Sequence, residues 1–251
     1  MSSLIWEKSN LQIKDLIFGK IPFLLIPHVI SEPICVSLCD EIFSNYKATD
    51  DSGPVTKIGT SLSSHIYEKS KYFSNSKKSN IIIQNIFSNP ISPLNIMHKT
   101  ISEFFQKQVF TATEDVMSYS ECVIRIHKDG DSVHLHRDNC NFEMPDYSVS
   151  KYKNQLSAIL YLQSPHLGGE LTIYDKQWSR YDERMRQPDF GYSSDLINDV
   201  PHTTISPLAG NLILFNPNFY HRIECVHGIK PRVSVGFFFA ESFDGNLYCW
   251  T

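Results

Sequence analysis

A histidine and an aspartate stand one residue apart in the stretch Val133-His134-Leu135-His136-Arg137-Asp138-Asn139. Side chains alternate along a β-strand, so a strand here projects His134, His136 and Asp138 from one face. A neutral imidazole and a carboxylate at that spacing can grip one metal ion from adjacent corners. The third ligand has to come from a separate strand, because two close neighbours cannot fill all three corners of one octahedral face. Of the ten histidines in the chain, His221 suits that place, since it follows the turn-forming stretch Asn216–Tyr220 and opens a further strand. Two histidines and one carboxylate suit a ferrous ion and leave the remaining positions open for reactants. The predicted metal ligands are therefore His136, Asp138 and His221.

A His-x-Asp pair alone arises by chance in many chains, and specificity comes from Arg232-Val233-Ser234, downstream of His221. On a strand, Arg232 and Ser234 share a face. A guanidinium and a hydroxyl there can bind the distal carboxylate of 2-oxoglutarate, the arginine through a charge-assisted contact. The keto-acid end of that co-substrate would then reach the metal. His134 competes for ligation, because His-x-His also begins a cupin-type site. Such a site expects a glutamate a few residues on, where Asp138 comes too early and Glu143 too late. His134 is therefore read as a pocket or supporting residue. Arg125 and His127 precede the motif on one strand face, with pocket lining and barrel packing as their two readings.

The elements that must position these residues are legible as patterns. From Glu121 onward short strands alternate, with Cys122, Ile124 and Ile126 facing one way and Val123, Arg125 and His127 the other. Lys128-Asp129-Gly130-Asp131 is a turn signal with a hairpin-type Asp-Gly pair. Further strands are predicted over 155–163, 170–175, 211–215, 221–226 and 232–240, punctuated by Gly168-Gly169 and Asn216-Pro217-Asn218. The N-terminal half reads as mainly helical around short strands. Ser31 and Pro33 can start a helix that buries Ile34, Leu38 and Ile42. A second helix is expected from Pro93 to Gln108, burying Ile96, Ile101, Phe104 and Phe105, while 50–53 and 74–79 read as polar connections. The fold class is mainly β with flanking helices, a double-stranded β-helix (jelly roll) with N-terminal helical support, as one domain over 1–251. The polar stretch Lys176–Thr204 separates two strand groups and reads as a lid insertion.

With 251 residues, of which 41% are hydrophobic, the chain can bury one sizeable core. A formal charge of −4 offers no broad attraction to phosphates, so no nucleic-acid partner is expected. The absence of an apolar run of about 18 residues predicts no membrane span. Without a basic-then-apolar leader the chain reads as cytoplasmic. The six cysteines form no CxxC pair, and Cys35 and Cys39 read as small hydrophobes on one helix face.

Taken together, these motifs resemble the Fe(II)/2-oxoglutarate dioxygenase superfamily, in particular its prolyl-hydroxylase-like branch. The resemblance runs through Leu156–Leu162, Gly168-Gly169-Glu170-Leu171, Gly210–Phe215, His221-Arg222-Ile223 and Arg232-Val233-Ser234. It implies iron(II) and 2-oxoglutarate as cofactors, O2 as co-substrate, and a role for Tyr161 beside Arg232 at the co-substrate carboxylate. A longer likeness is to the halogenases of hapalindole-type indole alkaloids, from Gly59-Thr60 and Ile66-Tyr67 through Met144-Pro145 and Phe219–Arg222 to Tyr248-Cys249-Trp250. That likeness makes 61–70, with Leu62 and Ser63, a candidate substrate wall. Those halogenases carry glycine where this chain has Asp138, and the missing carboxylate opens a position for chloride. With Asp138 present, the resemblance implies a hydroxylating relative.

The implied reaction is hydroxylation of an unactivated C–H bond of a small molecule, a natural-product intermediate or an amino-acid-like compound, with 2-oxoglutarate converted to succinate and CO2. Desaturation or cyclisation by the same site, an oxygenase acting on a peptide or protein side chain, and a non-catalytic binding protein are the competing readings. The last has no use for three ligands together with Arg232.

Overall fold

The computed structural model describes residues 13–45, 55–88 and 91–251. The long strand Arg232–Glu241 organises the larger sheet. Along one edge it pairs with Leu156–Gln163; along the other it pairs first with Val123–His127 and then with Leu247–Trp250. Leu212–Phe215 and Phe23–Ile26 extend the sheet beyond Leu156–Gln163, Thr56–Ile58 lies outside Val123–His127, and Val109–Thr111 runs parallel to Leu247–Trp250. The smaller sheet has the order His202–Ile205, Leu171–Gln177, Phe219–Ile223, Val133–His136. Two facing, mainly antiparallel sheets make the expected jelly roll, with no closed barrel among the described residues.

Period-two alternation gives the larger sheet two chemically different faces. Cys122, Ile124, Ile126, Leu156, Ala158, Leu160, Leu212, Leu214, Val233, Val235, Phe237 and Phe239 point outward into the main core. The helices Glu32–Asn45, Lys69–Ile86 and Pro93–Phe105 cover that face with Leu38, Ile42, Ile83, Ile86, Met97 and Ile101. At about 1.5–3 kcal/mol per fully buried aliphatic side chain, this layer is the main source of stability. The opposite face looks into the space between the sheets. There Tyr161, Ile213 and Phe215 meet Leu171, Ile173 and Ile223 of the smaller sheet. The predicted facing of Cys122, Ile124 and Ile126 is observed.

Several expectations change in the structure. The stretch 74–79 is no connection but the middle of the Lys69–Ile86 helix. Its inward side carries Ser76, Ser79 and Asn80, which disguises the helical period. Ser76 Oγ donates to the Ser118 carbonyl at 2.8 Å, and Asn80 bonds Tyr119 and Glu121 at 3.0 Å each. The expected connection at 50–53 lies outside the described residues. The second helix stops at Phe105 rather than Gln108, because Gln106 turns left-handed (φ 54°). Lys128–Asp131 forms a turn, yet it carries the chain from the larger sheet to the smaller one rather than joining a hairpin. The predicted strand 221–226 is Phe219–Ile223 followed by the short Val226–His227.

Lys176–Thr204 is shorter as an insertion than its composition implies. Its first two residues end the Leu171–Gln177 strand and its last three lie in His202–Ile205. Between them, Trp178, Leu196, Ile197 and Val200 pack on Leu135, Tyr174 and Tyr220, the outer face of the smaller sheet. Among the described residues, no helix is long and apolar enough to cross a membrane.

Candidate active site

His136 and His221 lie directly opposite each other across the antiparallel pair Val133–His136 and Phe219–Ile223. Their rings are 4.1 Å apart between centroids. Distance in sequence thus becomes adjacency through strand register. Asp138 lies just beyond the end of its strand, where its N–H donates to the Pro217 carbonyl at 2.9 Å. Its Oδ2 is 3.4 Å from His221 Nε2 and 3.9 Å from His136 Nε2. One ligand atom from each of the three lies within 4.8 Å of the others.

Backbone carbonyls fix both imidazole tautomers. His136 Nδ1 donates to His134 O at 2.8 Å, and His221 Nδ1 donates to Phe219 O at 2.9 Å. A carbonyl can only accept, so each Nδ1 carries hydrogen and each Nε2 keeps a lone pair aimed at the Asp138 side. Burial, then the neighbouring His221, lowers the His136 pKa to about 4, which keeps the ring neutral. Burial alone would raise Asp138, but His221 and His136, which carry protons at the acid pH where this carboxyl titrates, and Arg125 pull it to about 2. Neutral imidazoles and an ionised carboxylate are what a divalent metal requires, and His136 and Asp138 are held in those states.

His134 does not join them. The register shifts between His221/His136 and Ile223/Val133, an extra residue on the Val133–His136 side that breaks the alternation. His134 is exposed, and its contribution is the carbonyl that orients His136. Asp138 is likewise placed by the chain leaving the strand toward the Cys140–Glu143 helix rather than by strict alternation.

The second half of the site is a buried cationic cradle on the inner face of the larger sheet. Arg232 is 1% exposed, and its Nη1 donates to His127 Nδ1 at 3.2 Å and to Ser234 Oγ at 3.3 Å. Its guanidinium carbon lies 4.9 Å from the Tyr161 ring centre. Register explains the grouping, since Arg232 is opposite His127 while Ser234 lies between Arg125 and Tyr161. Burial, then Arg232 and Arg125, pushes the His127 pKa far down, so its Nδ1 can accept from Arg232 and its Nε2 carries the hydrogen. Arg232 Nε, His127 Nε2 and the Tyr161 hydroxyl are buried with no partner in the protein. Three orphaned donors around one buried cation fit an anionic acceptor supplied by a ligand, because leaving them unmet is costly.

Gly168-Gly169 lets the backbone approach this cradle. Both residues have positive φ; a Cβ at Gly168 would collide with the Cys225 carbonyl, and one at Gly169 would lie 3.0 Å from Arg232 Cδ. Of the predicted substrate wall, Leu62 is buried in a cluster with Tyr72, Phe73 and Trp250, while Ser63 is exposed and bonds Ser61 Oγ at 3.1 Å.

Sequence reasoning missed the aromatic walls and the clamp behind the motif. Phe215 stands edge-on to His221 at 5.0 Å, and Phe190 tilts against His136 at 5.3 Å. Gly191 and Tyr192 place Phe190 there: the Tyr192 N–H donates to Leu135 O at 2.8 Å, so the insertion caps the exposed edge of the smaller sheet. Between the two ligands, Arg137 points to the opposite face. It is enclosed by Glu143 (3.4 Å), Glu183 (3.3 Å) and the faces of Trp178 and Phe142 (4.3 and 5.2 Å). Alternation puts Arg137 opposite His136, which is the signal that could have separated it from the site.

Similarity to known proteins follows the same lines. The N-substituted L-amino acid dioxygenase of Burkholderia ambifaria AMMD, in complex with alpha-KG, superposes with a TM-score of 0.64 at 14% identity, covering 95% of this chain and 90% of that one. HygX from Streptomyces hygroscopicus, with nickel and 2-oxoglutarate bound, gives 0.53 at 14% identity, covering 93% and 88%. In sequence, the L-gamma-glutamyl-L-propargylglycine hydroxylase of Streptantibioticus cattleyicolor is 29% identical over 122 residues, 48% of this chain and 45% of that protein. The chain spans about half the length of the curated relatives it matches. The profile of the WelO5 family, described as carrier-protein-independent halogenase WelO5, matches residues 6–251, and the chain belongs to that family.

Proposed function

We propose that this chain is an iron(II)- and 2-oxoglutarate-dependent oxygenase that hydroxylates an unactivated C–H bond of a small, amino-acid-like molecule or natural-product intermediate. The observation that carries this reading is the grouping of His136, Asp138 and His221 together with a buried arginine cradle in which Arg232 Nε, His127 Nε2 and the Tyr161 hydroxyl have no acceptor. His136 Nε2, His221 Nε2 and an Asp138 oxygen would hold the iron. Arg232, Ser234 and Tyr161 would take the distal carboxylate of 2-oxoglutarate, and His127 Nε2 supplies a further donor. Bound iron and co-substrate supply the oxidising chemistry, with succinate and CO2 as co-products. The protein supplies geometry: two carbonyl-locked imidazoles, an ionised carboxylate, and aromatic rings of Phe215 and Phe190 that limit water. Phe190, which tilts against His136, is the part of the 176–204 insertion that would cover the metal, and the rest buttresses the smaller sheet.

Asp138 decides between hydroxylation and the halogenation in the family's name. Its carboxylate would fill the position that a halide would need, and its depressed pKa keeps it ionised. An amino-acid-like substrate is supported by the names of the hydroxylase and the dioxygenase this chain is similar to.

Anaerobic addition of iron(II) and 2-oxoglutarate tests the assignment through the weak visible charge-transfer band of the chelate. The band is expected in the wild type and lost in Asp138→Ala and Arg232→Ala. A wild type without it, or variants that keep it unchanged, would overturn the site.

A further inference from the structure

Arg125 is a second cation on the same inner face, one register row from Arg232. It stands in the row Lys57, Arg125, Ser234, Tyr161 that crosses four strands. Lys57 already has a partner. Arg125 has neither a hydrogen bond nor an ion pair among the described residues, although it is largely shielded from solvent. The charges that reach it are Asp138, which attracts it, and Arg232, which repels it. Space beside it is kept by Gly236, where a Cβ would lie 3.2 Å from Arg125 Nη1. A guanidinium stays protonated under all ordinary conditions, so a cation left here needs an anion or water.

Charge bookkeeping, resting on the proposed function, says which. Iron(II) contributes two positive charges, the histidines none, Asp138 one negative, 2-oxoglutarate two negative and Arg232 one positive. That set sums to zero and leaves Arg125 uncompensated. We infer that Arg125 binds a carboxylate of the substrate, so the substrate is a monoanionic acid rather than a neutral molecule, with its oxidised carbon beyond that carboxylate toward the metal. The planar guanidinium fork matches a carboxylate through two parallel hydrogen bonds. A doubly charged phosphate would overshoot the balance.

The test uses the full chain loaded with manganese(II), which supports binding without turnover. Probes are propionate, isovalerate and N-acetyl-L-leucine, each paired with its carboxamide, and the readout is paramagnetic relaxation of probe protons with 2-oxoglutarate bound. Wild type is expected to relax at least one acid fivefold more than its amide. Arg125→Gln should reduce that preference below twofold and Arg125→Lys should retain part of it, with 2-oxoglutarate affinity within threefold of wild type in both. Equal relaxation of acids and amides by wild type overturns the inference, and needs no variant to fold. Loss of 2-oxoglutarate binding in Arg125→Gln also overturns it, by giving Arg125 to the co-substrate. Failure of wild type to bind 2-oxoglutarate would instead sink the proposed function.

Discussion

Two buried arginines sit on opposite sides of the metal motif, and the chain treats them in opposite ways. Arg137 is met by its own protein: two carboxylates and two aromatic faces enclose it. Arg232, just as buried, has a neutral histidine, a serine hydroxyl and a tyrosine ring around it, and no carboxylate. Burial of an ion costs several kcal/mol unless it is compensated. The Arg137 side has charge compensation built in, although its Nε and Nη1 make no hydrogen bond, so it acts as a clamp between the motif and the insertion. The Arg232 side lacks it, which is how a site for an anionic ligand is constructed. The same residue type is thus enclosed by the protein's own carboxylates in one place and, on the proposed function, left for a ligand in the other.

The largest effect expected from breaking this comparison is on the clamp. Arg137→Met leaves Glu143 and Glu183 with the half-exposed Arg186 (3.5 and 3.4 Å) in place of a buried cation, and should lower unfolding stability by about 3 kcal/mol, the low end for a broken buried pair. Thermal unfolding would show this as a drop of roughly 6–12 °C. The pH dependence gives the sign. Burial already raises the Glu143 pKa while Arg137 opposes it, so removing Arg137 raises it further. The native variant then binds a proton that the unfolded chain does not, and its deficit should shrink as pH falls from 7 toward 5. Glu183 works in the opposite sense in the wild type. Burial would raise it, but hydrogen bonds from Tyr192, Trp178 and Arg137 hold it below its usual 4.5, so its contribution fades only as pH falls beneath that value. A variant deficit independent of pH would mean that Arg137 acts by packing alone.

Arg232→Met probes the other side. Dissociation of 2-oxoglutarate should rise by about 100-fold, since truncating one partner of a buried charge pair costs on the order of 2–5 kcal/mol. The ligand-free protein should unfold at the same temperature or higher, because the removed charge had no internal counter-ion. Titration calorimetry and thermal unfolding on one preparation check both. A destabilised variant with normal 2-oxoglutarate affinity would make Arg232 a second clamp and erase the contrast.

How far the sequence reveals this contrast follows from the range of the interactions. Strand alternation is local, so the inner placement of Arg125, His127, Arg232 and Ser234 is legible, as are the strands that bring them there. The clustering of His136, Asp138 and His221 is legible because a His-x-Asp pair on one strand and a later histidine on another point to one place. What was hidden depends on neighbours far along the chain. The bulge that turns His134 away is set by pairing with Phe219–Ile223. The Lys69–Ile86 helix hides its period because its inner residues are serines and an asparagine satisfied by Ser118, Tyr119 and Glu121. Partners for Arg137 come from 143, 178 and 183, and nothing at 137 itself distinguishes a clamped arginine from a ligand-binding one. Pro22 and Pro27 bracket the Phe23–Ile26 strand, whose pairing with Leu212–Phe215 is another contact far along the chain.

The finest version of the comparison removes one oxygen on each side. The Tyr161 hydroxyl is buried and unpartnered, whereas the Tyr192 hydroxyl donates to Glu183 at 2.6 Å. Tyr161→Phe therefore discards a polar group that the ligand-free protein leaves unsatisfied, and its unfolding temperature should hold or rise slightly. Its 2-oxoglutarate affinity should fall about tenfold, the effect of one hydrogen bond to a charged group worth ~1.5 kcal/mol. Tyr192→Phe takes a donor from an ionised carboxylate, so it should lose about 1 kcal/mol of stability while binding 2-oxoglutarate normally. The two substitutions are chemically identical and are expected to move stability and affinity in crossed directions. If both moved stability alone, the Tyr161 hydroxyl would be part of the packing, and the acceptor missing from the Arg232 cradle would lie out of its reach.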